Sequence, residues 1–173
     1  MLDIGEHSLN GREHKCLFRN NGDGTFTDVA HVNAVDRTED GRGLSVFDFD
    51  RDGQVDMLAR NYRQPAQLLR NTGGPQHWLA FKLVGTRSNR DAIGARVFVT
   101  SGGRRQMREV TCGSGYLSNQ SLVQHFGLGS VAEADEVEVR WPSGASTLLF
   151  HVPGDEVVHV VEGQGASSAG TGL

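Results

Sequence analysis

Asp48-Phe49-Asp50-Arg51-Asp52-Gly53-Gln54-Val55-Asp56 sets Asp at the first, third, fifth and ninth of nine positions and Gly at the sixth. Four carboxylates this close repel one another, and Arg51 alone does not neutralise them. A bound hard cation relieves the repulsion. Alternating Asp side chains in a tight loop can turn their oxygens toward one centre, and Gly permits the sharp turn that Ca²⁺ loops use. The pattern therefore assigns Asp48, Asp50, Asp52 and Asp56 as side-chain ligands of Ca²⁺ and Gln54 as a backbone-carbonyl ligand. The competing explanation is an acidic, solvated turn. An EF-hand needs an acidic residue at position twelve, and Ala59 stands there. The flanks, Leu44-Ser45-Val46-Phe47 and Val55-Asp56-Met57-Leu58, read as strands. The loop thus joins two strands, and the fold around it is β.

Upstream, Leu17-Phe18-Arg19-Asn20-Asn21-Gly22 recurs 51 residues later as Leu68-Leu69-Arg70-Asn71-Thr72-Gly73. A self-match at this period marks repeat architectures such as propeller blades. The unit reads as strand, metal loop, strand, then a strand ending in Arg-Asn-x-Gly. One complete unit is present, whereas propellers close with about 4–8 blades. Its sheet edges therefore call for cover, by a second copy or a partner chain.

Downstream of Gly73-Gly74-Pro75, strand-like runs fall at 78–84, 95–100, 106–111, 122–126, 137–141, 147–151 and 156–161. Turn sequences separate them, among them Ser101-Gly102-Gly103, Gly127-Leu128-Gly129, Pro142-Ser143-Gly144 and Pro153-Gly154-Asp155. Seven short strands at this spacing predict a β-sandwich or barrel. Val137-Glu138-Val139-Arg140-Trp141 alternates apolar and polar residues, as a half-buried strand does. The expected fold is all-β: a partial propeller-like repeat at 14–73, a seven-stranded sandwich-like domain at 74–162, and a flexible tail at 163–173.

Composition sets limits on function. The 173 residues carry 23 Gly against 4 Pro and a net charge of −4. Such a balance argues against a broad nucleic-acid-binding face. No apolar run approaches the roughly 20 residues that span a bilayer. Met1-Leu2-Asp3-Ile4-Gly5-Glu6-His7 lacks the basic and apolar regions of a secretory signal, which implies a cytosolic protein, an internal piece or a mature form. Cys16 and Cys112 lie far apart and read as two thiols rather than a disulfide.

Several strings together resemble known families. Leu17-Phe18-Arg19-Asn20-Asn21-Gly22-Asp23-Gly24-Thr25-Phe26-Thr27-Asp28-Val29, followed by the Asp48–Asp56 loop, resembles an FG-GAP/VCBS-type repeat of integrin-like propellers. His77-Trp78-Leu79, Leu83-Val84-Gly85-Thr86, Ser88-Asn89-Arg90-Asp91-Ala92-Ile93-Gly94-Ala95-Arg96-Val97, Gly113-Ser114-Gly115-Tyr116-Leu117-Ser118, His125-Phe126-Gly127-Leu128-Gly129 and Val139-Arg140-Trp141-Pro142-Ser143-Gly144 resemble an ASPIC/UnbV domain. The resemblance implies Ca²⁺ in the acidic loop, an extracellular or cell-surface location, and a non-enzymatic binding, adhesion or scaffold role toward a protein or carbohydrate. Such proteins carry several repeats before this domain. One repeat and the end of another stand here, which implies a piece or a short form.

Other constellations are weaker. Asn20-Asn21-Gly22-Asp23-Gly24 reads first as a hairpin turn, with Asp23 and Asp28 as subsidiary ligand candidates. Asn89, Asp91 and Arg96 offer a polar ligand site or, structurally, a loop pinned by an Arg–carboxylate pair. Tyr116 and Asn119 suit sugar recognition or a plain surface loop. His77, His125, His151 and His159 lack zinc spacing, and no carboxylate pair suggests a glycan-active enzyme.

Overall fold

The computed structural model describes residues 13–116 and 118–169, and all regular structure among them is β. The Met1–His7 reading, Leu117 of the Gly113–Ser118 string and the tail beyond 169 lie outside the described residues.

The repeat region forms two small sheets. Strands β1 (Phe18–Asn20) and β2 (Phe26–Asp28) make an antiparallel hairpin. The turn between them is closed by Asp23, whose Oδ1 accepts from Thr25 N and Oγ1 at 2.9 and 2.6 Å. These bonds hold the Asp23 carboxyl below its ordinary range. Asp28 Oδ1 likewise accepts from Leu17 N and Ala30 N. Both carboxylates serve the hairpin. Strands β3 (Gly41–Phe47), β4 (Asp56–Asn61) and β5 (Gln67–Leu69) form an antiparallel sheet in that order. The acidic loop joins β3 to β4, as the flanking sequence predicts.

The second region is a sandwich of two four-stranded sheets. One has the order β11 (Ser146–Pro153), β10 (Glu133–Arg140), β7 (Arg96–Ser101), β8 (Arg104–Glu109). The other runs β13 (Gly165–Ala169), β12 (Glu156–Val161), β6 (His77–Val84), β9 (Gln124–Gly129). Only β6 and β12 pair in parallel; the other pairs are antiparallel. Alternation drives the assembly. Val97 and Val99, Val137 and Val139, and Val158 and Val160 all point inward, onto Leu79, Phe81 and Phe126. Phe81 and Phe126 meet edge-to-face at 5.8 Å between centroids. Removing either ring would cost about 3–5 kcal/mol.

All seven expected strands are present, and β13 adds an eighth where the sequence reading has a flexible tail. Its Gly, Ala and Ser residues show no apolar period, because the strand is held by backbone pairing to β12. Gly127-Leu128-Gly129, expected as a turn, is the end of β9 instead, with Leu128 buried in the core. Cys16 and Cys112 are free and exposed. Trp141 is a core residue, whereas Trp78 lies against the acidic loop.

Candidate metal centre

The acidic loop leaves β3 at Phe47 and enters β4 at Asp56. Its geometry is built from hydrogen bonds that the carboxylates accept. Asp56 is buried, and its two oxygens take Phe49 N at 2.9 Å and Asn71 N at 2.7 Å. It thereby ties the loop to the Arg-Asn-x-Gly turn after β5. Asp48 Oδ2 accepts from Gly53 N at 2.9 Å, and Asp52 Oδ1 from Gln54 N at 2.9 Å. Arg51 and Gly53 both have positive φ, 63° and 85°, which curl the chain back on itself.

This curl gathers Asp48, Asp50 and Asp56, each with a carboxylate oxygen within 4.8 Å of the others. Asp48 Oδ1 is buried and has no hydrogen-bond partner. Asp52 is not in that cluster. It faces Arg70, whose Nη2 donates to Asp52 Oδ2 at 3.3 Å and whose Nε pairs with Asp50. The Asp50 charge, then Asp52, raises the Arg70 guanidinium pKa further. Gln54 uses its side chain on Gly73 O at 2.9 Å. Arg70 and Asn71 belong to the repeated Leu-x-Arg-Asn string, so the sequence echo marks the residues that brace the loop.

The loop also docks on the sandwich. Gly53 lies against the Trp78 indole so closely that a Cβ there would stand 1.9 Å from Trp78 Nε1. His125 Nε2 donates to Gly53 O at 2.8 Å, and the His125 ring stacks on Trp78 at 5.4 Å. Burial pushes the His125 pKa down, against the Gly53 bond and the Asp48 charge, which favour the cation. A second tie is made by Gln120, whose amide donates to Leu44 O and accepts from Val46 N, both at 2.9 Å. Sequence reasoning did not single out Trp78, His125 or Gln120 for these contacts; the loop residues that His125 and Gln120 bond lie 72 and 74 positions away along the chain.

The subsidiary candidates are dispersed. Asn89 bonds Ile93 N and O, both at 2.8 Å, and closes its own loop. Arg96 pairs with Glu109 across β7 and β8 rather than with Asp91, which is exposed. Tyr116 is exposed, and Asn119 Oδ1 accepts from Gly113 N. His77 pairs with Asp155 and His151 with Glu133, and the described residues give no histidine metal cluster.

Comparison with known proteins agrees with this anatomy. An FG-GAP-like repeat model matches residues 8–59, which includes the acidic loop, and an ASPIC and UnbV model matches residues 85–167. Cartilage acidic protein 1 of Mus musculus is 35% identical over 156 residues, covering 87% of this chain and 24% of the relative. The Homo sapiens protein of that name is 35% identical over 138 residues, covering 77% and 21%. That of Xenopus tropicalis is 38% identical over 124 residues, covering 67% and 19%. The chain spans at most about a quarter of the length of these relatives. It belongs to the family in which an FG-GAP-like repeat is followed by an ASPIC and UnbV domain.

Proposed function

We propose that the chain is a non-enzymatic, calcium-stabilised binding or scaffold module of a secreted or cell-surface protein. The observation that carries the metal is Asp48 Oδ1, buried and unpartnered within a cluster of three carboxylates. A buried, unsatisfied carboxylate oxygen is costly unless something compensates it. An all-oxygen donor set suits Ca²⁺ rather than zinc or copper. Asp48, Asp50 and Asp56 would hold the ion, with Asp52 and the Gln54 carbonyl as further ligands. The ion would supply positive charge and pin the loop. The relatives' name describes a tissue and a charge, not a reaction, and this supports the extracellular and non-enzymatic parts of the reading. Melting in Ca²⁺ and in EDTA tests it. At free Ca²⁺ a hundred times the Kd the stabilisation should be about 2.7 kcal/mol, and Asp48→Asn should abolish it. Identical melting curves, with no heat of Ca²⁺ binding in calorimetry, would sink the metal.

A second reading, assembly with other sheets through the repeat, is favoured by its bare apolar side chains. Phe18 and Phe26 are each 61% exposed, and Leu44, Val46 and Leu68 are exposed as well. Light scattering decides between them: a monomer at high concentration argues against self-assembly.

A further inference from the structure

We propose that the open cavity beside the β3–β4 sheet binds an anionic saccharide, one that carries a sulfate or a carboxylate. The cavity measures about 730 Å³ and is lined by Arg42, Arg60, Asn61, Tyr62, Arg63 and Ser118 among others. Three arginines line it. Arg42 is held by Asp40 at 2.7 Å, while Arg60 and Arg63 have no carboxylate partner among the described residues. Two unneutralised guanidiniums on one cavity in a chain of net charge −4 mark a local anion site. Their planar forks match the paired oxygens of a sulfate or carboxylate.

The site is held from below. Asn61 is buried, and its Nδ2 donates to Pro65 O at 2.8 Å, closing the turn that presents Arg63. Tyr62 N donates to Asp40 O at 2.8 Å and fixes the same turn from the other side. Arg63 sits at φ 53°, a left-handed conformation that costs a non-glycine residue energy and persists only where its surroundings impose it. The Arg42 and Arg63 guanidiniums lie 5.6 and 5.1 Å from the centroid of the Tyr62 ring, which is half exposed.

A saccharide fits this chemistry better than an acidic peptide. An extended peptide would recognise the sheet by pairing with the β3 edge, but Leu44 O and Val46 N are already taken by Gln120. A cavity of this size suits one or two sugar rings. The lining mixes charge, an aromatic rim and small polar side chains, the set that fixes a sugar acid and its hydroxyls.

The inference rests on the binding-module reading and not on the metal. Calorimetry with a sulfated uronic-acid disaccharide, its desulfated form, its neutral counterpart and a glutamate-rich peptide tests it. Affinity is expected to fall in that order among the sugars. Arg60→Gln and Arg63→Gly should each weaken the sulfated sugar by about tenfold or more. The glycine keeps the left-handed backbone, and an unchanged Tm confirms that each variant is folded. Arg104→Ala, an equal loss of charge at an exposed position on β8, should leave binding as it was. No binding of the sulfated sugar, equal loss in the Arg104 variant, or tighter binding of the peptide would each overturn the proposal. A Ca²⁺-dependent Tm retained without sugar binding overturns this inference alone. Sugar binding without a Ca²⁺ response overturns the metal alone.

Discussion

The Glu162 carboxylate, at the exit of β12, is buried and accepts five hydrogen bonds. They come from Thr86 N, Arg87 N and Ser88 N, and from the Ser88 and Ser143 hydroxyls. Burial pushes its pKa up, but the Ser143 bond and the three backbone bonds outweigh it, and the pKa falls from 4.5 to about 2. A folded-state pKa below the unfolded value means that the stabilisation is full above about 4.5 and is lost as pH falls toward about 2. Glu162→Gln should lower Tm by several degrees at pH 7, and the gap to the parent should close between those pH values. Thermal melts across that range check it. A gap that stays constant down to pH 2 would show that the loss comes from replacing an accepting oxygen by an amide nitrogen, not from the carboxylate's charge. The turn that the sequence marks at Pro142-Ser143-Gly144 is fastened by this one glutamate to the segment Thr86–Ser88. The glutamate lies 76 residues from Thr86, and pattern along the chain reports nothing about such closures.

At the scale of elements, what was legible follows from period. Regular spacing between turn sequences marks seven strands of the sandwich within a few residues, and alternation marks Val137–Trp141 among them, because valine at every second position has one reason to be there. The acidic loop was legible as a strand–loop–strand unit, since alternating Asp and a glycine at φ 85° encode a curl locally. β13 was not, because its backbone pairs with β12 whatever its side chains are. Nor was the treatment of the β3 edge. An edge strand with exposed Leu44 and Val46 is open to unwanted pairing, and here the Gln120 amide occupies that edge as a one-residue strand would. Gln120→Ala should uncover it and leave Val46 N without its partner, destabilising the protein by about 1–3 kcal/mol. It should also promote association. Sedimentation at rising concentration should show the variant dimerising where the parent does not. A variant as monomeric as the parent would mean that other features protect the edge.

For the molecule as a whole, the acidic loop is a point of contact between repeat and sandwich as well as a carboxylate cluster. Gly53 carries both connections on adjacent peptide groups: its N–H is held by Asp48, and its carbonyl takes the His125 proton. Anything that orders Asp48 therefore orders the surface that meets Trp78. Binding that favours the docked loop stabilises the docked state by linkage, so calcium affinity and the joining of repeat to sandwich should rise and fall together. Gly53→Ala separates the two. Its Cβ would overlap the indole, 1.9 Å from Nε1, at a φ of 85°. Strain and overpacking should cost about 2–5 kcal/mol. The sandwich core, to which β6, β7, β9, β10, β11 and β12 contribute and no residue of the repeat does, should stay folded. Calorimetry of the variant should then show two transitions, with Ca²⁺ raising only the lower one, and Trp78 emission should shift toward that of a solvated indole. In the parent, Ca²⁺ should raise a single transition and leave Trp78 packed against the loop. One transition in the variant at the parent's Tm would show that Gly53 is not where the two units are coupled.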